Sequence, residues 1–297
     1  MGSGAVGGYF GALIHRHTKA NVTFIARGDH LDAIRKSGLN ISSIDGDFSV
    51  EAEATNNVSE IEEADLIIFA VKSYDTEDAI KKITPLVGEN TQVLSIQNGL
   101  DNHDLLEDAF GEEHVIRGLC VIGAELTEPG HIAHRALGSI KAGEKNGDHN
   151  TERITNLSKL FEPIPAELTI SDDIQTDIWK KFAWNCVFNV LTGLAHVTVE
   201  KLFHTDSTLQ LVDDVYAEIT WLAAAYDINF TDADYDEIIK HGKSLHGFRT
   251  STYQDVEKGK PLEFEGLTGS LLRRAESKGV SMPVNNALYA LFQLREQ

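Results

Sequence analysis

Two groups of residues in this sequence have types and spacing that could do chemistry. The first is Gly2-Ser3-Gly4-Ala5-Val6-Gly7, which fits G-x-G-x-x-G and opens a helical pattern. In that motif the first glycine makes a tight turn and the second lets backbone approach a pyrophosphate. The third lets helix and strand pack closely, while the helix N-terminus favours the phosphate charge. The second group is Lys181, Asn185 and Asn189, spaced i, i+4, i+8 within Trp179-Lys180-Lys181-Phe182-Ala183-Trp184-Asn185-Cys186-Val187-Phe188-Asn189. On a helix they share one narrow stripe. Asparagine is a poor helix former, and two of them among Trp184, Cys186, Val187 and Phe188 would be costly if buried without partners. The stripe therefore predicts a polar face turned to a cleft, with a partly desolvated lysine able to donate a proton near neutrality. The bland alternative is a solvated helix face, and Lys180 fits that description.

Further candidates stand at the ends of strand-like runs. Arg27 comes about 20 residues after the third glycine, behind the run Asn21–Ala26. An acidic residue there would hold a ribose 2′-hydroxyl, whereas a guanidinium favours a 2′-phosphate, so NADP is predicted over NAD. Lys72, at the carboxyl end of Asp65–Val71, adds a second positive charge. Thr91–Ile96 runs into Gln97-Asn98-Gly99, which points Asn98 toward a cofactor crevice; a turn-forming Asn-Gly is the equal alternative. A solvated Arg27 starting a loop is also open.

The elements that must position these residues change character along the chain. Ala5–His17 has helical spacing, Leu31–Lys36 looks helical, and Leu39–Val50 suggests a hairpin turning at Asp45-Gly46. A helix is expected over Thr76–Leu86, with further strands around Val115–Ile122 and Gly138–Ala142. Continuous apolar strands separated by helices indicate a parallel sheet covered on both faces. From about Thr176 the pattern becomes long helices, over Asp177–Leu194, Leu209–Tyr226, Gly266–Ser277 and Asn285–Leu294. The expected division is an α/β domain over 1–172 and an all-α domain over 173–297. One piece is missing: Met1 directly precedes Gly2, where a β-strand normally leads into the glycine motif. The expectation is a start truncated relative to the functional protein, with an upstream targeting segment left open.

Composition narrows the partners. The 297 residues suit two ordinary domains, and 42% hydrophobic with 24% charged residues is normal for a globular chain. Forty-six acidic against 26 basic residues give a formal charge of −20, which repels nucleic acid and anionic membranes. No apolar run reaches the roughly 20 residues of a membrane span. Cys120 and Cys186 offer neither a disulfide framework nor a metal clip, so a cytoplasmic enzyme with reduced thiols is expected. His131 and His134, beside a turn, carry no zinc signature, and no metal is expected.

Taken together, GSGAVGGYFGA, DLIIFAVKSYDT, SIQNGL, WKKFAWNCVFNVLTGL and TSTYQDVEKGKPLEFEGLTGSLLRRAESKGVSMP resemble the ketopantoate reductase (2-dehydropantoate 2-reductase) family over essentially the whole chain. The resemblance implies a Rossmann-like N-terminal domain, an all-α C-terminal domain and NADPH-dependent reduction of ketopantoate in pantothenate synthesis. It implies that Lys181 is the general acid and that Glu263 contacts substrate and supports the lysine. Asn98, Asn185, Asn189 and Ser251 would bind substrate. Gly2, Ser3, Gly4, Ala5, Val6, Gly7, Arg27, Lys72 and Asn98 would bind NADPH/NADP. On local grounds Glu263 is equally one of several solvated acids beside Glu265, and Ser251 equally a helix cap. The chemistry would require a cleft between the two domains that brings Lys181 beside the nicotinamide. The expected partner is a small 2-keto acid, with a homodimer left open. Other 2-keto acid reductases, hydroxyacid dehydrogenases such as those for 3-hydroxyisobutyrate, a non-catalytic dinucleotide sensor and an unstable truncated product remain as alternatives.

Overall fold

The computed structural model describes residues 1–295. They form two compact units. One comprises Met1–Gln97 with Asn102–Ile174, and the other Asn98–Asp101 with the chain from Gln175 onward.

In the first unit, α1 (Ala5–His17), β1 (Thr23–Ile25), α2 (Gly28–Ser37), β2 (Leu39–Ser43), β3 (Phe48–Val50) and β4 (Glu53–Thr55) come in order. Then follow β5 (Leu66–Phe69), α3 (Thr76–Ile83), β6 (Gln92–Ser95), α4 (Asp101–Phe110), β7 (Val115–Glu128), β8 (His131–Gly143), α5 (Glu152–Phe161) and β9 (Leu168–Ile170). Strands β5, β6 and β7 run parallel, with Ile67 opposite Val93 and Val93 opposite Val115. Where they pair, Ile67, Phe69, Val93, Leu94, Val115 and Ile116 are buried and Leu66 and Ile68 half-buried, as expected for parallel strands covered on both faces. Strand β8 pairs antiparallel with β7 along its length, and parallel with β2 at one end and β9 at the other. The β2–β3 hairpin turns at Asp45-Gly46 as the sequence suggested.

A separate parallel pair, β1–β4, lies apart from the larger sheet. Residues 1–3 link the two without forming a strand. The Met1 amine donates to Ile68 O (2.7 Å), Met1 O accepts from Ala70 N (3.0 Å), and Ser3 N donates to Ile25 O (3.2 Å). Burial pushes that amine down to about 5.

Strands β7 and β8 are longer than the two short runs expected from sequence. They make one antiparallel ribbon of 14 and 13 residues. Its middle was hidden because register shifts at Val121/Ile122, Gly123/Ala124 and Leu126/Glu128 break the apolar alternation.

The second unit holds α6 (Ile174–Trp184), α7 (Val190–Ala195), α8 (Asp206–Ala224), α9 (Asp232–Ser244), α10 (Ser251–Glu257), α11 (Ser270–Lys278) and α12 (Pro283–Arg295). Phe182, Phe188, Ile219, Leu222, Leu271 and Phe292 are fully buried in it. Buried Glu218 of α8 accepts from Val284 N, Asn285 N and Asn285 Nδ2, placing a carboxylate at the start of α12. The continuous helix expected over Asp177–Leu194 is instead α6 and α7 joined by a π turn at Asn185–Asn189. A second π turn, Glu265–Gly269, precedes α11. Among the described residues no helix is long and apolar enough to cross a membrane, and no group of three His, Cys, Asp or Glu could hold a metal.

Candidate active site

The glycine loop is shaped by sterics. Gly2 has φ +85°, a conformation that L side chains rarely adopt, and a Cβ there would meet Val71 N at 2.7 Å. A Cβ on Gly7 would run into the carbonyl oxygen of Gly2 and stand 3.1 Å from Ala70 Cβ. Gly4 differs: a Cβ added there meets nothing within 4 Å. Gly4 is the N-cap of α1, where no side chain caps the helix and no acidic residue sits in the first turn. The opening turn, with Ala5 and Val6 half-buried, thus offers backbone N–H groups and a positive dipole end toward open space. Ser3 is buried, and its carbonyl accepts from His30 Nε2 (2.7 Å). His30 Nδ1 accepts from Gly130 N (2.9 Å), so the ring carries its proton on Nε2 and ties the loop to the β7–β8 turn.

Arg27 is the N-cap of α2, and its 80% exposed side chain pairs with Asp75 (Nη2 to Oδ2, 2.8 Å). Lys72 is half-buried and caps the 3-10 turn Ser73–Asp75 that follows β5. Beyond β6, the Gln97 amide donates to Val71 O (3.0 Å) and Thr76 Oγ1 (2.9 Å), and Thr76 in turn donates to Asn102 Oδ1 (2.9 Å). This buried network fixes the strand end before Asn98, which is half-buried, and Gly99, whose φ is +101°. Sequence reasoning passed over His30, Asp75 and Gln97. The one signal for Gln97 was its place between a buried strand and Asn-Gly.

In the helical unit the structure brings three predicted residues together. Asn189 Nδ2 donates to Asn185 Oδ1 (3.3 Å) and to Ser251 Oγ (3.2 Å). Both asparagines are 5% exposed. The Asn185 amide nitrogen is buried and has no hydrogen-bond partner among the described residues. An orphaned buried donor costs about 1–3 kcal/mol, and a bound acceptor would recover it. Half-buried Lys181 lies one turn earlier on α6. The i, i+4, i+8 stripe is not the regular α-helical one expected. In an α-helix each four-residue step drifts about 40°, whereas the wider π turn from Asn185 takes up that drift and returns Asn189 toward the line of Lys181.

The neighbours are sorted by the same geometry. Lys180 is not simply solvated; its Nζ sits 2.5 Å from Asp234 Oδ1. Burial pushes the Asp234 carboxyl up, but donors from Lys180 and Thr231 outweigh it and hold the group below the ordinary range. Thr250, not Ser251, caps α10, accepting from Tyr253 N. Ser251 is turned to Asn189 instead. Glu265 is held by Arg273 (2.9 Å) and Tyr289 (2.5 Å). Glu263 is half-buried in the irregular segment just before the second π turn, and the two π turns pack against each other. Cys186 is fully buried and its thiol is pushed well up by desolvation, so it is no nucleophile. His131 and His134 follow the β7–β8 turn as expected, as strand residues of β8 bound to Ser42 (2.9 Å) and Ser43 (2.8 Å).

An α/β unit opening on a dinucleotide-type glycine loop, followed by a helical unit with a lysine–asparagine–serine set, defines a class of two-domain oxidoreductases. Within that class the chain belongs to the ketopantoate reductase family. The pattern of ketopantoate reductase PanE/ApbA matches residues 1–147, and that of its C-terminal part matches residues 173–296. The 2-dehydropantoate 2-reductase of Pyrococcus abyssi is 30% identical over 296 residues, covering 100% of this chain and 96% of the relative. The crystal structure of 2-dehydropantoate 2-reductase from Geobacter metallireducens superposes with a TM-score of 0.93 at 30% identity, over 99% of this chain and 98% of that one. A D-mandelate dehydrogenase in complex with NADH also matches, with a TM-score of 0.86 at 25% identity, over 99% of this chain and 97% of that one.

Proposed function

We propose that the protein reduces ketopantoate to pantoate with NADPH as hydride donor. The observation that carries the reading is the buried pair Asn185 and Asn189, hydrogen-bonded on to the exposed Ser251 and with the Asn185 amide nitrogen unsatisfied, a turn away from Lys181. Neutral donors of this kind suit a substrate that bears a carboxylate and a hydroxyl, and they orient it without clamping the product.

The residues fit a dinucleotide. The open space before Gly4 and the uncapped start of α1 suit a pyrophosphate, held by Gly2, Ser3, Gly4, Ala5, Val6 and Gly7. Arg27 and Lys72 would hold a 2′-phosphate, and Asn98 the nicotinamide end. NADPH supplies the hydride when bound. As negative charge develops on the keto oxygen, the Lys181 ammonium stabilises it and then transfers a proton to that oxygen. Glu263 supports the lysine, and Asn185, Asn189 and Ser251 hold the carboxylate and hydroxyl groups in place.

A second reading, reduction of another 2-keto acid, is favoured by the similarity to a D-mandelate dehydrogenase. The decrease of NADPH or NADH absorbance with ketopantoate, 2-ketoisovalerate and benzoylformate separates the two. The highest kcat/KM is expected for ketopantoate with NADPH. A preference for benzoylformate with NADH would replace the substrate and cofactor assignment, and no oxidation with any of the three would leave a dinucleotide-binding protein.

A further inference from the structure

Asp75 occupies the N-cap position of α3, where an aspartate ordinarily accepts from a backbone N–H of the first helical turn. It makes no such bond. Its carboxylate instead reaches across to the guanidinium of Arg27 at 2.8 Å, while Glu77 and Asp78 supply negative charge to the first turn of α3. The pair joins the second residue beyond β1 to the turn after β5, at the strand ends where Lys72 also stands. In a chain of net charge −20 this local pairing of Arg27 with an acid matters, because the same cation is the group expected to meet a 2′-phosphate.

We propose that Asp75 is a specificity-determining residue that narrows the preference for 2′-phosphorylated over unphosphorylated adenosine cofactors. The inference rests on the reading of Arg27 as a 2′-phosphate ligand. Only one of the five guanidinium N–H donors is engaged by Asp75, so phosphate and carboxylate can share Arg27. They then sit on one cation as like charges, the phosphate with nearly two negative charges, and repel. A 2′-hydroxyl bears no charge and is not repelled by Asp75, whose carboxylate can at most accept a hydrogen bond from it. The carboxylate thus weakens binding of the phosphorylated cofactor alone. At contact-scale separation in water, halved by physiological salt, the repulsion corresponds to about three- to fivefold in affinity.

The test is calorimetric titration of the full chain with 2′,5′-ADP and with 5′-ADP, which needs no turnover. Asp75→Asn is expected to tighten 2′,5′-ADP about three- to fivefold and to leave 5′-ADP within about twofold, with the gain shrinking at about 0.5 M salt. Asp75→Ser, which restores a good N-cap without a charge, should do the same and covers the case where the asparagine variant is poorly folded. In an Arg27→Ala background the effect of removing Asp75 should vanish. Unchanged or weaker 2′,5′-ADP binding in both Asp75 variants would overturn the proposal while leaving the NADPH reading intact, provided Arg27→Ala lowers the ratio. An Arg27→Ala variant with an unaltered ratio would overturn the 2′-phosphate assignment and this inference with it.

Discussion

Gly4→Ala separates what the glycine loop does for folding from what it does for binding. A Cβ at Gly4 meets no protein atom within 4 Å, and the backbone there, at φ −74° and ψ −154°, lies at the edge of the extended region open to alanine. The structural cost is only the poorer N-cap, about 0.5 kcal/mol. That corresponds to a fall in melting temperature of about 1–2 °C for a unit of this size. The methyl nevertheless projects into the space before the first turn of α1, where a pyrophosphate would take the unsatisfied N–H groups. Losing one or two hydrogen bonds to a charged phosphate removes about 1.5–3 kcal/mol of binding, or about ten- to hundredfold in Kd. Gly7→Ala is the contrast, because its Cβ collides with the Gly2 carbonyl and must shift the loop. Overpacking of that kind costs about 1–3 kcal/mol of stability. Thermal unfolding and fluorescence titration with NADPH read both quantities on the same samples. A Gly4→Ala protein that melts normally and binds NADPH within twofold of the parent would refute the placement of the phosphate.

Lys181→Ala is expected to lower kcat by about 10²–10⁴ while NADPH affinity stays within about twofold, as for a general acid; near-normal turnover would reject the role. His103 lies buried on α4, where desolvation and then Arg117 push its imidazole down to about 4. The unfolded chain takes up that proton at about 6.5. Stability contributed by the neutral ring is therefore complete above about 6.5 and falls as pH drops toward about 4, by about 2 kcal/mol at pH 5. Urea unfolding at pH 7.5 and 5 should show that extra loss in the parent and not in His103→Asn; equal pH dependence in both would contradict it. Glu218→Ala strips the acceptor from two N–H groups of α12 and from the Asn285 amide. It should cost about 3 kcal/mol, and a melting temperature unchanged within a degree or two would show that the buried carboxylate contributes little.

Much of the fold was legible because its local signals agree. Ala5–His17 is helical throughout, the Asp45-Gly46 turn lies where expected, and the strand cores at 66–69 and 92–95 fall inside the runs that were read. What escaped notice had weaker or competing signals. Helix α4 begins directly behind Asn98-Gly99, a turn pair that masks its start. Helix α9 has only half-buried spacing, although its capping box from Thr231 to Asp234 was visible as Thr-x-x-Asp. The asparagine stripe was readable as polar residues on an apolar helix, but its geometry was not, since no residue type announces a π turn. Partner choice was equally invisible: Arg27 with Asp75, Lys180 with Asp234 and Ser251 with Asn189 are contacts across 48, 54 and 62 positions of chain.

The wide turns at 185–189 and 265–269 make the helical unit sensitive to chain length in a way that its side-chain chemistry does not reveal. Each turn holds one residue beyond what an α-helix needs, so dropping that residue would leave every backbone bond satisfiable and the helix intact. Side chains downstream would keep their direction, because about five of the wider steps turn the chain as far as four α-helical ones. What changes is the spacing inside the turn: Asn185 and Asn189 would stand three positions apart instead of four, and the same loss at the second turn would alter the lead-in from Glu263. Substitutions within these turns can be mild, and loss of a single codon would re-space the polar set while preserving the helices on either side.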